Sequence, residues 1–466
     1  MPAKVRCYNT LMVNSELIII GGGLAGCEAA WQAASAGIQV RLYEMRPMVQ
    51  TPAHHTGLLA ELICSNSFGA DQRNRPAGLL KAELRSLNSF LLQCADESAI
   101  AAGGALAVDR NLFSNLVTTR LSAHPNIQII REEVKVLPKT PCIIASGPLT
   151  SPALTDQIAN LIGAEFLYFY DAVAPIVEYE GINLDQAFWA SRYGQGQDEV
   201  GDYLNCPLSE EEYLNFIHEL LHAQRVQLRS FETPNIEDEQ EKKYFEACLP
   251  IEVLAARDPL SLSFGPMRPV GIHNPKADHS PFAIVQLRQE NLARTLFNLV
   301  GFQTNLTFAE QDRVFRLIPG LENASFVRYG QMHRNIYLNA PKNLLPTLQC
   351  KFQSQLFFSG QITGMEGYCG NVASGLVAGI NASRLLKNKA PLVFPRETMI
   401  GALIYYLANA DSDHFHPMKA NFGLLPELEV FIRSKREKGF AYSKRALKTL
   451  RDFMLEAEIG STGTTW

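Results

Sequence analysis

The chain has 466 residues, 47% hydrophobic and 19% charged, with a formal net charge of −5. Such a length supports a large core and two or more domains, while the charge announces no polyanionic partner, so any nucleic-acid site has to be a local patch. Nine cysteines, an odd number with no C-x-x-C, argue against a disulfide framework and for a reducing, cytoplasmic setting; no apolar run approaches a membrane span.

Residues 1–15 read as an extension before the first strand, with Met12 as an alternative start; Asn14, Ser15 and Glu16 interrupt any signal-type apolar core. Leu17–Ile20 is a short apolar run of the kind that makes a buried parallel strand. In Gly21-Gly22-Gly23-Leu24-Ala25-Gly26 the first, third and sixth residues fall on G-x-G-x-x-G, and Leu24–Ala36 reads as an alanine-rich helix. Gly21 lets the strand turn, Gly23 lets backbone approach a pyrophosphate, and Gly26 lets the helix pack close to the sheet, whose helix N-terminus favours phosphate. Gly37 stops the helix, Ile38–Tyr43 reads as a second strand, and Glu44 ends it. That carboxylate stands roughly 20 residues beyond the glycines, where a ribose-hydroxyl acceptor belongs. An S-adenosylmethionine site also has a glycine turn and an acidic second strand; the third glycine, inside the helix, favours a dinucleotide.

After Met45-Arg46-Pro47 comes a polar loop, Thr51–Thr56, in which His54-His55 invites a metal reading but has no spaced partners. Glu61–Ser67 carries Cys64 before three small polar residues; backbone N–H groups at such a turn stabilise a thiolate, although a cysteine is more often a small buried hydrophobe. The leucine spacing predicts one amphipathic helix over 78–94, and Asp109 caps a helix starting near Asn111. Ile127–Arg131 and Cys142–Ala145 read as strands, the latter closing on Ala145-Ser146-Gly147, a turn that fits a second crossing of a dinucleotide site. From Asp171 the texture changes. Strands are expected at Ala172–Tyr179 and Ala187–Arg192, then a helix capped by Ser209 and running to about Gln227. That helix holds His218-Glu219-Leu220-Leu221-His222, formally a zinc-protease motif, but no third ligand follows, and no metal is expected. Ile236–Lys243 is a charged run ahead of Cys248-Leu249-Pro250, and Val285–Arg288 alternates as a strand does. Val314–Ile318 and Phe326–Tyr329 return toward the first texture. Leu356–Phe358 is an apolar strand ending at Gly360-Gln361, followed by a small-residue helix, Asn371–Leu386, of the kind that closes a flavin site. Arg433–Arg451 holds eight cations against Glu437, a phosphate-binding face or a solvated one.

Taken together, the segments Leu42–Pro47, Thr51–Thr56, Glu61–Ser67, Ala102–Arg110, Gly147–Pro152, Tyr168–Pro175, Phe264–Met267, Val285–Gln289, Phe315–Ala324, Gly360–Tyr368 and Asn421–Pro426 make the chain resemble the folate- and FAD-dependent tRNA (uracil-5-)-methyltransferases of the TrmFO type. One departure is Cys369-Gly370-Asn371-Val372, where the family pattern is of the Val-Glu-Ser-Ala type. The resemblance implies an α/β fold: a Rossmann-like FAD-binding domain of the two-dinucleotide-fold flavoprotein type, from residues 1–171 and 326–466, with an inserted α+β domain at 172–325. It implies methylation of uridine 54 in the tRNA T-loop, with carbon from 5,10-methylenetetrahydrofolate and electrons from NAD(P)H through FAD. Cofactor contacts are expected at Gly21, Gly22, Gly23, Leu24, Ala25, Gly26, Glu44, Arg46, Ala145, Gly147, Gly360 and Gln361. The family's two functional cysteines fall on Cys64 and Cys248. Uracil C5 is a poor nucleophile until a thiolate adds at C6; Cys248 is assigned to that addition and Cys64 to proton handling, with the reverse open. The alternatives are a flavoprotein modifying the wobble uridine, a small-molecule flavin oxidoreductase with a redox cysteine pair, and an RNA-binding module with a structural flavin.

Overall fold

The computed structural model describes residues 16–163, 166–196, 201–226, 249–277 and 279–459. Met12, Gln227, the run Ile236–Lys243 and Cys248 lie outside the described residues.

The chain opens with the expected strand, helix and strand: β1 (Glu16–Ile20), α1 (Leu24–Ser35) and β2 (Gln39–Tyr43). Gly21 makes the turn between the first two at a φ of +107°, a conformation that a side chain disfavours. After β3 (Ser67–Ala70), the leucine-rich stretch forms two helices rather than one, α2 (Pro76–Ser86) and α3 (Phe90–Glu97). Asn88 adopts φ +57°, and Ser89 caps the second helix by accepting the Leu92 N–H. The buried Glu28 carboxylate of α1 holds this break, accepting from the Ser89 hydroxyl and from the Phe90 and Leu91 N–H groups. Next come β4 (Ala99–Ile100), β5 (Ala105–Val108) and α4 (Arg110–Ala123), whose Asn111 and Leu112 N–H groups Asp109 caps at 3.0 Å. β6 (Ile127–Ile130), β7 (Cys142–Ile144) and α5 (Pro152–Ile162) complete this stretch.

The strand expected over Ala172–Tyr179 is two, β8 (Leu167–Ala172) and β9 (Ile176–Glu178). Pro175, which has no N–H to donate, stands between them. There follow β10 (Phe188–Ala190), β11 (Tyr203–Leu208), α6 (Glu210–His222), α7 (Ile251–Arg257), α8 (Ser261–Phe264), β12 (Ala283–Gln289), β13 (Leu296–Leu299), α9 (Phe308–Phe315) and β14 (Phe326–Arg328). Ser209 and Glu212 form a reciprocal capping box at the start of α6, which ends at His222 rather than near Gln227. These strands make a six-stranded antiparallel sheet, β10-β11-β12-β13-β9-β14. Phe326–Arg328 therefore does not rejoin the first texture; it is the edge strand of this second sheet. α6, α7 and α9 contribute Phe216, Leu220, Ile251 and Phe315 to the core beside it.

The remaining elements are β15 (Met332–Tyr337), α10 (Ala340–Asn343), β16 (Leu356–Phe358), α11 (Tyr368–Leu386), α12 (Met399–Asn409) and α13 (Lys435–Ala457). β15 pairs antiparallel with β8, so one two-stranded ribbon leads into the second sheet and back out of it. β16 returns to the first sheet, whose order is β16-β7-β1-β2-β6 with every pair parallel. α11, which starts at Tyr368 and not at Asn371, crosses α1 at backbone distance. A Cβ on Gly375 would lie 2.2 Å from the Ala25 carbonyl oxygen, and one on Gly379 2.7 Å from that of Ala29. That packing centres the main hydrophobic core on residues from both ends of the chain.

Candidate functional site

A cavity opens at the carboxyl ends of β1, β7 and β16, the position at which parallel α/β sheets bind ligands. Its wall includes Gly21, Gly23, Leu24, Ala25, Glu44, Arg46, Ala145, Gly147, Gly360 and Gln361, ten of the twelve residues expected to contact a cofactor. Gly22 and Gly26 stand behind the wall. The Gly22 N–H donates to Glu44 Oε2 at 2.9 Å. A Cβ on Gly26 would lie 1.9 Å from the Gly21 carbonyl oxygen, so its work is to seat α1 on the turn. At Gly23 a Cβ would meet nothing within 4 Å and would project into open space.

Glu44 and Arg46 do not act as separate ligands. Arg46 is almost wholly buried and bridges two carboxylates, Glu44 at 2.9 Å and Glu61 at 3.0 Å. Glu61 also accepts from the N–H groups of His55 and Thr56 and from the Thr56 hydroxyl. Burial raises the cost of both charges, but Arg46 and the backbone donors outweigh it at Glu44, and the N–H groups and hydroxyl do so at Glu61, holding both carboxyls below their usual range. His54 lines the cavity beside them, its Nδ1 2.6 Å from Thr51 Oγ1. Burial first and the Arg46 charge second push His54 down to about 4, so its imidazole is neutral near pH 7. The polar loop that offered a metal pair is thus a wall of the cavity.

Cys64 also lines the cavity. Its backbone N–H and that of Ser65 both donate to the Tyr368 hydroxyl at 3.1 Å, across some 300 residues of sequence. Burial, and next the nearby Cys64, push the Tyr368 phenol up, which keeps it neutral. The second sheet grips the same loop: Arg288 of β12 donates to Asn66 Oδ1 and Ser65 Oγ, each at 2.8 Å. The Asn66 amide in turn donates to the Gln289 carbonyl at 3.0 Å. From the other side Arg110, paired with Glu290, donates to the carbonyls of Leu62 and Ile63. The sequence alone does not single out Tyr368, Arg110, Arg288, Glu61 or Asn371, because spacing carries no signal for groups brought together across such separations.

The other histidine motif is a surface feature. The His218 and His222 rings lie tilted to each other with centroids 4.3 Å apart, His222 donates to the His218 carbonyl, and Glu219 pairs with Arg313. Among the described residues no group of three metal-ligating side chains forms.

Two observations show that the cavity suits a dinucleotide such as FAD. The Gly23 backbone opens directly onto it at the N-terminus of α1, where helix N–H groups favour phosphate. Asn371, at the Cys-Gly-Asn-Val departure, is in the wall with its Oδ1 buried and unpartnered, as an acceptor awaiting a ligand would be.

Comparison with known proteins agrees with this geometry. The family model for GIDA, glucose inhibited division protein A, matches residues 16–390. The methylenetetrahydrofolate--tRNA-(uracil-5-)-methyltransferase TrmFO of Desulfitobacterium hafniense (strain Y51) is 55% identical over 440 residues, covering 94% of this chain and 98% of its own. The protein of that name from Natranaerobius thermophilus is 53% identical over 440 residues, 94% of this chain and 99% of its own. A crystal structure of Aquifex aeolicus GidA superposes with a TM-score of 0.67 over 96% of this chain and 75% of that one, at 17% identity, a likeness of fold.

Proposed function

The chain belongs to the GIDA family and, within it, to the methylenetetrahydrofolate--tRNA-(uracil-5-)-methyltransferases of the TrmFO type, and from that premise we propose that its substrate is uridine 54 in the T-loop of tRNA. Its cofactors are FAD and, as carbon donor, 5,10-methylenetetrahydrofolate. NAD(P)H is the reductant in this reading and the cytoplasm its setting; among the described residues no helix is long and apolar enough to cross a membrane. We also assign residues 1–171 and 329–466 to the FAD-binding domain and 172–328 to an inserted domain, the boundary expected at 325 moving to 328 because Phe326–Arg328 is a strand of the second sheet. In support, one core draws on Leu17–Ile162 and Tyr337–Leu450, and the other on Val177–Ala324.

The observation that carries the reading is the presence of Cys64 in the wall of the cavity whose glycine turn suits a dinucleotide. FAD, when bound, supplies the reducing electrons that bring the transferred carbon to a methyl group. Gly23 and the start of α1 would receive its pyrophosphate and Glu44 its ribose, with Ala145, Gly147, Gly360 and Gln361 lining the rest of the cavity. Arg46 holds Glu44 charged and in place. In this reading the Cys248 thiolate adds to C6 of the uracil, which makes C5 nucleophilic; C5 bonds the one-carbon unit, Cys64 receives the C5 proton, and the Cys248–C6 bond breaks as the methylated base is released. Tyr368, held neutral, fixes the Cys64 backbone. The base has to leave its stack to reach the cavity.

Methyl transfer to T-loop transcripts, with and without NADPH, tests this. Cys64→Ala and Cys248→Ala should each abolish transfer while leaving the protein folded. With 5-fluorouracil at position 54, the wild type should form a stable adduct that Cys248→Ala does not. An adduct kept by Cys248→Ala and lost in Cys64→Ala reverses the two roles, and methyl-free modification at a wobble uridine overturns the reading.

A further inference from the structure

We propose that the start of α13, together with the turn Arg73–Arg75, is a docking surface for the tRNA backbone outside the cavity, a proposal that rests on the tRNA-modifying reading above. α13 buries Tyr442, Ala446 and Leu450 on one face and turns Lys435, Arg436, Lys438, Lys444 and Lys448 outward, while Arg445 donates to the Pro426 and Glu427 carbonyls. Arg433, Lys435, Arg436 and Lys438 are exposed, and none of them lies within 4 Å of a described carboxylate. Their placement works against the helix itself. Cations in a first turn oppose the helix dipole, and neighbouring like charges at helical spacing repel. An anion set there reverses both penalties, meeting the side-chain charges and the N-terminal N–H groups at once.

A second, independent feature lies beside them. Phe431 is 90% exposed and Val430 69%, immediately before the Ser434 cap. Packing among the described residues accounts for neither. An exposed ring among such cations is the combination that binds single-stranded or looped nucleic acid, stacking on bases while cations meet phosphates. The helix also packs against a segment close in sequence to Cys64. A Cβ on Gly439 would lie 2.3 Å from the Asn74 carbonyl oxygen, and the Ser443 hydroxyl donates to the Arg73 carbonyl. That contact, on the buried side of α13, brings the exposed Arg73 and Arg75 alongside the helix that carries the cations. Arg73 is nine residues beyond Cys64, so their Cα atoms are at most about 32 Å apart, within the span of one folded tRNA.

The experiment uses the flavin-loaded enzyme and a full-length unmodified tRNA transcript. The triple variant Lys435→Gln, Arg436→Gln, Lys438→Gln and the single variant Phe431→Ala are compared with wild type. Flavin content and kcat at saturating tRNA should be unchanged and the melting temperature no lower than wild type in the triple variant, while KM for tRNA rises. In equilibrium binding, the triple variant's slope of log affinity against log salt should be shallower by about 2–3, because three phosphates are no longer neutralised. Unchanged KM and unchanged slope overturn the proposal. So does binding of wild type to phosphatidylcholine–phosphatidylserine vesicles that the triple variant loses while its tRNA binding persists, which makes the patch a lipid surface. If wild type transfers no methyl to the transcript, the functional reading fails, and the salt slopes still decide the surface.

Discussion

Gly23 and Gly26 belong to one glycine motif but have separable roles, and two alanine variants distinguish them. Gly23 is the N-cap of α1 with φ −78° and ψ −171°, a conformation open to any residue. Its added Cβ meets no atom within 4 Å. Relative to glycine, alanine at an N-cap costs about 0.5–1 kcal/mol, while the less flexible unfolded chain returns about 0.4–1 kcal/mol. The cofactor-free protein should therefore keep its stability to within about 0.5 kcal/mol. Gly26→Ala gains about 0.5–1 kcal/mol of helix propensity, but its Cβ would sit 1.9 Å from the Gly21 carbonyl oxygen. Relieving that contact means moving α1 by more than an ångström within a close-packed core, an overpacking cost of at least about 1–3 kcal/mol. Urea denaturation of deflavinated protein, with flavin absorbance per chain measured on the purified enzymes, separates the two. Gly23→Ala should weaken flavin retention and Gly23→Val abolish it, both with a wild-type unfolding midpoint; Gly26→Ala should lower the midpoint itself. A Gly23→Val enzyme with full flavin absorbance, or a Gly23→Ala protein as destabilised as Gly26→Ala, refutes the assignment.

Arg288→Met should destabilise the protein by about 1–3 kcal/mol by leaving the Asn66 side-chain Oδ1 buried without its donor, and should speed amide hydrogen exchange at residues 64–67; unchanged exchange would show that the second sheet does not hold the loop. Burial pushes Glu83 up to about 8 although the N–H groups of Met399 and Ile400 donate to it. The folded state thus keeps a proton that the unfolded chain releases above its ordinary value of 4.5. This contribution is full below that value and is lost as pH rises toward 8; Glu83→Gln should flatten that part of the stability profile, and an identical slope in both proteins would contradict it. Carbon-labelled methylenetetrahydrofolate should label tRNA with release of tetrahydrofolate, whereas label from methyl-labelled S-adenosylmethionine, or stoichiometric dihydrofolate, would exclude reduction through the flavin.

Much of the cavity is legible in the sequence because its parts are local. The glycine turn, Glu44 at the end of β2, Ala145-Gly147 and Gly360-Gln361 are each a strand end followed by a turn, a pattern that spacing reveals. What escapes is of two kinds. The stretch 78–94 reads as one continuous helix because both α2 and α3 bury leucines, and hydrophobic period is blind to a left-handed Asn88 between them. The support of Cys64 escapes because Tyr368 and Arg288 reach it from 304 and more than 220 residues away. A polar residue in isolation does not disclose its partner. The roles given to Cys64 and Cys248 come from family resemblance, not from their neighbours.

The crossing of α1 and α11 has a consequence for how the protein is made. Ala25 and Ala29 emerge from the ribosome early, but the glycines that press against them, Gly375 and Gly379, come some 350 residues later. At about 5–20 residues per second, the nascent chain exposes the apolar flank of α1 for roughly 20–70 s before its cover is synthesised. β16, which completes the parallel sheet beside β7, arrives just as late. The second sheet, whose strands lie between Ile176 and Arg328, is complete before that and has time to fold first. Premature termination between β14 and β16 should therefore yield a chain with a finished second sheet and an open first sheet, unable to retain flavin and exposed to aggregation or proteolysis.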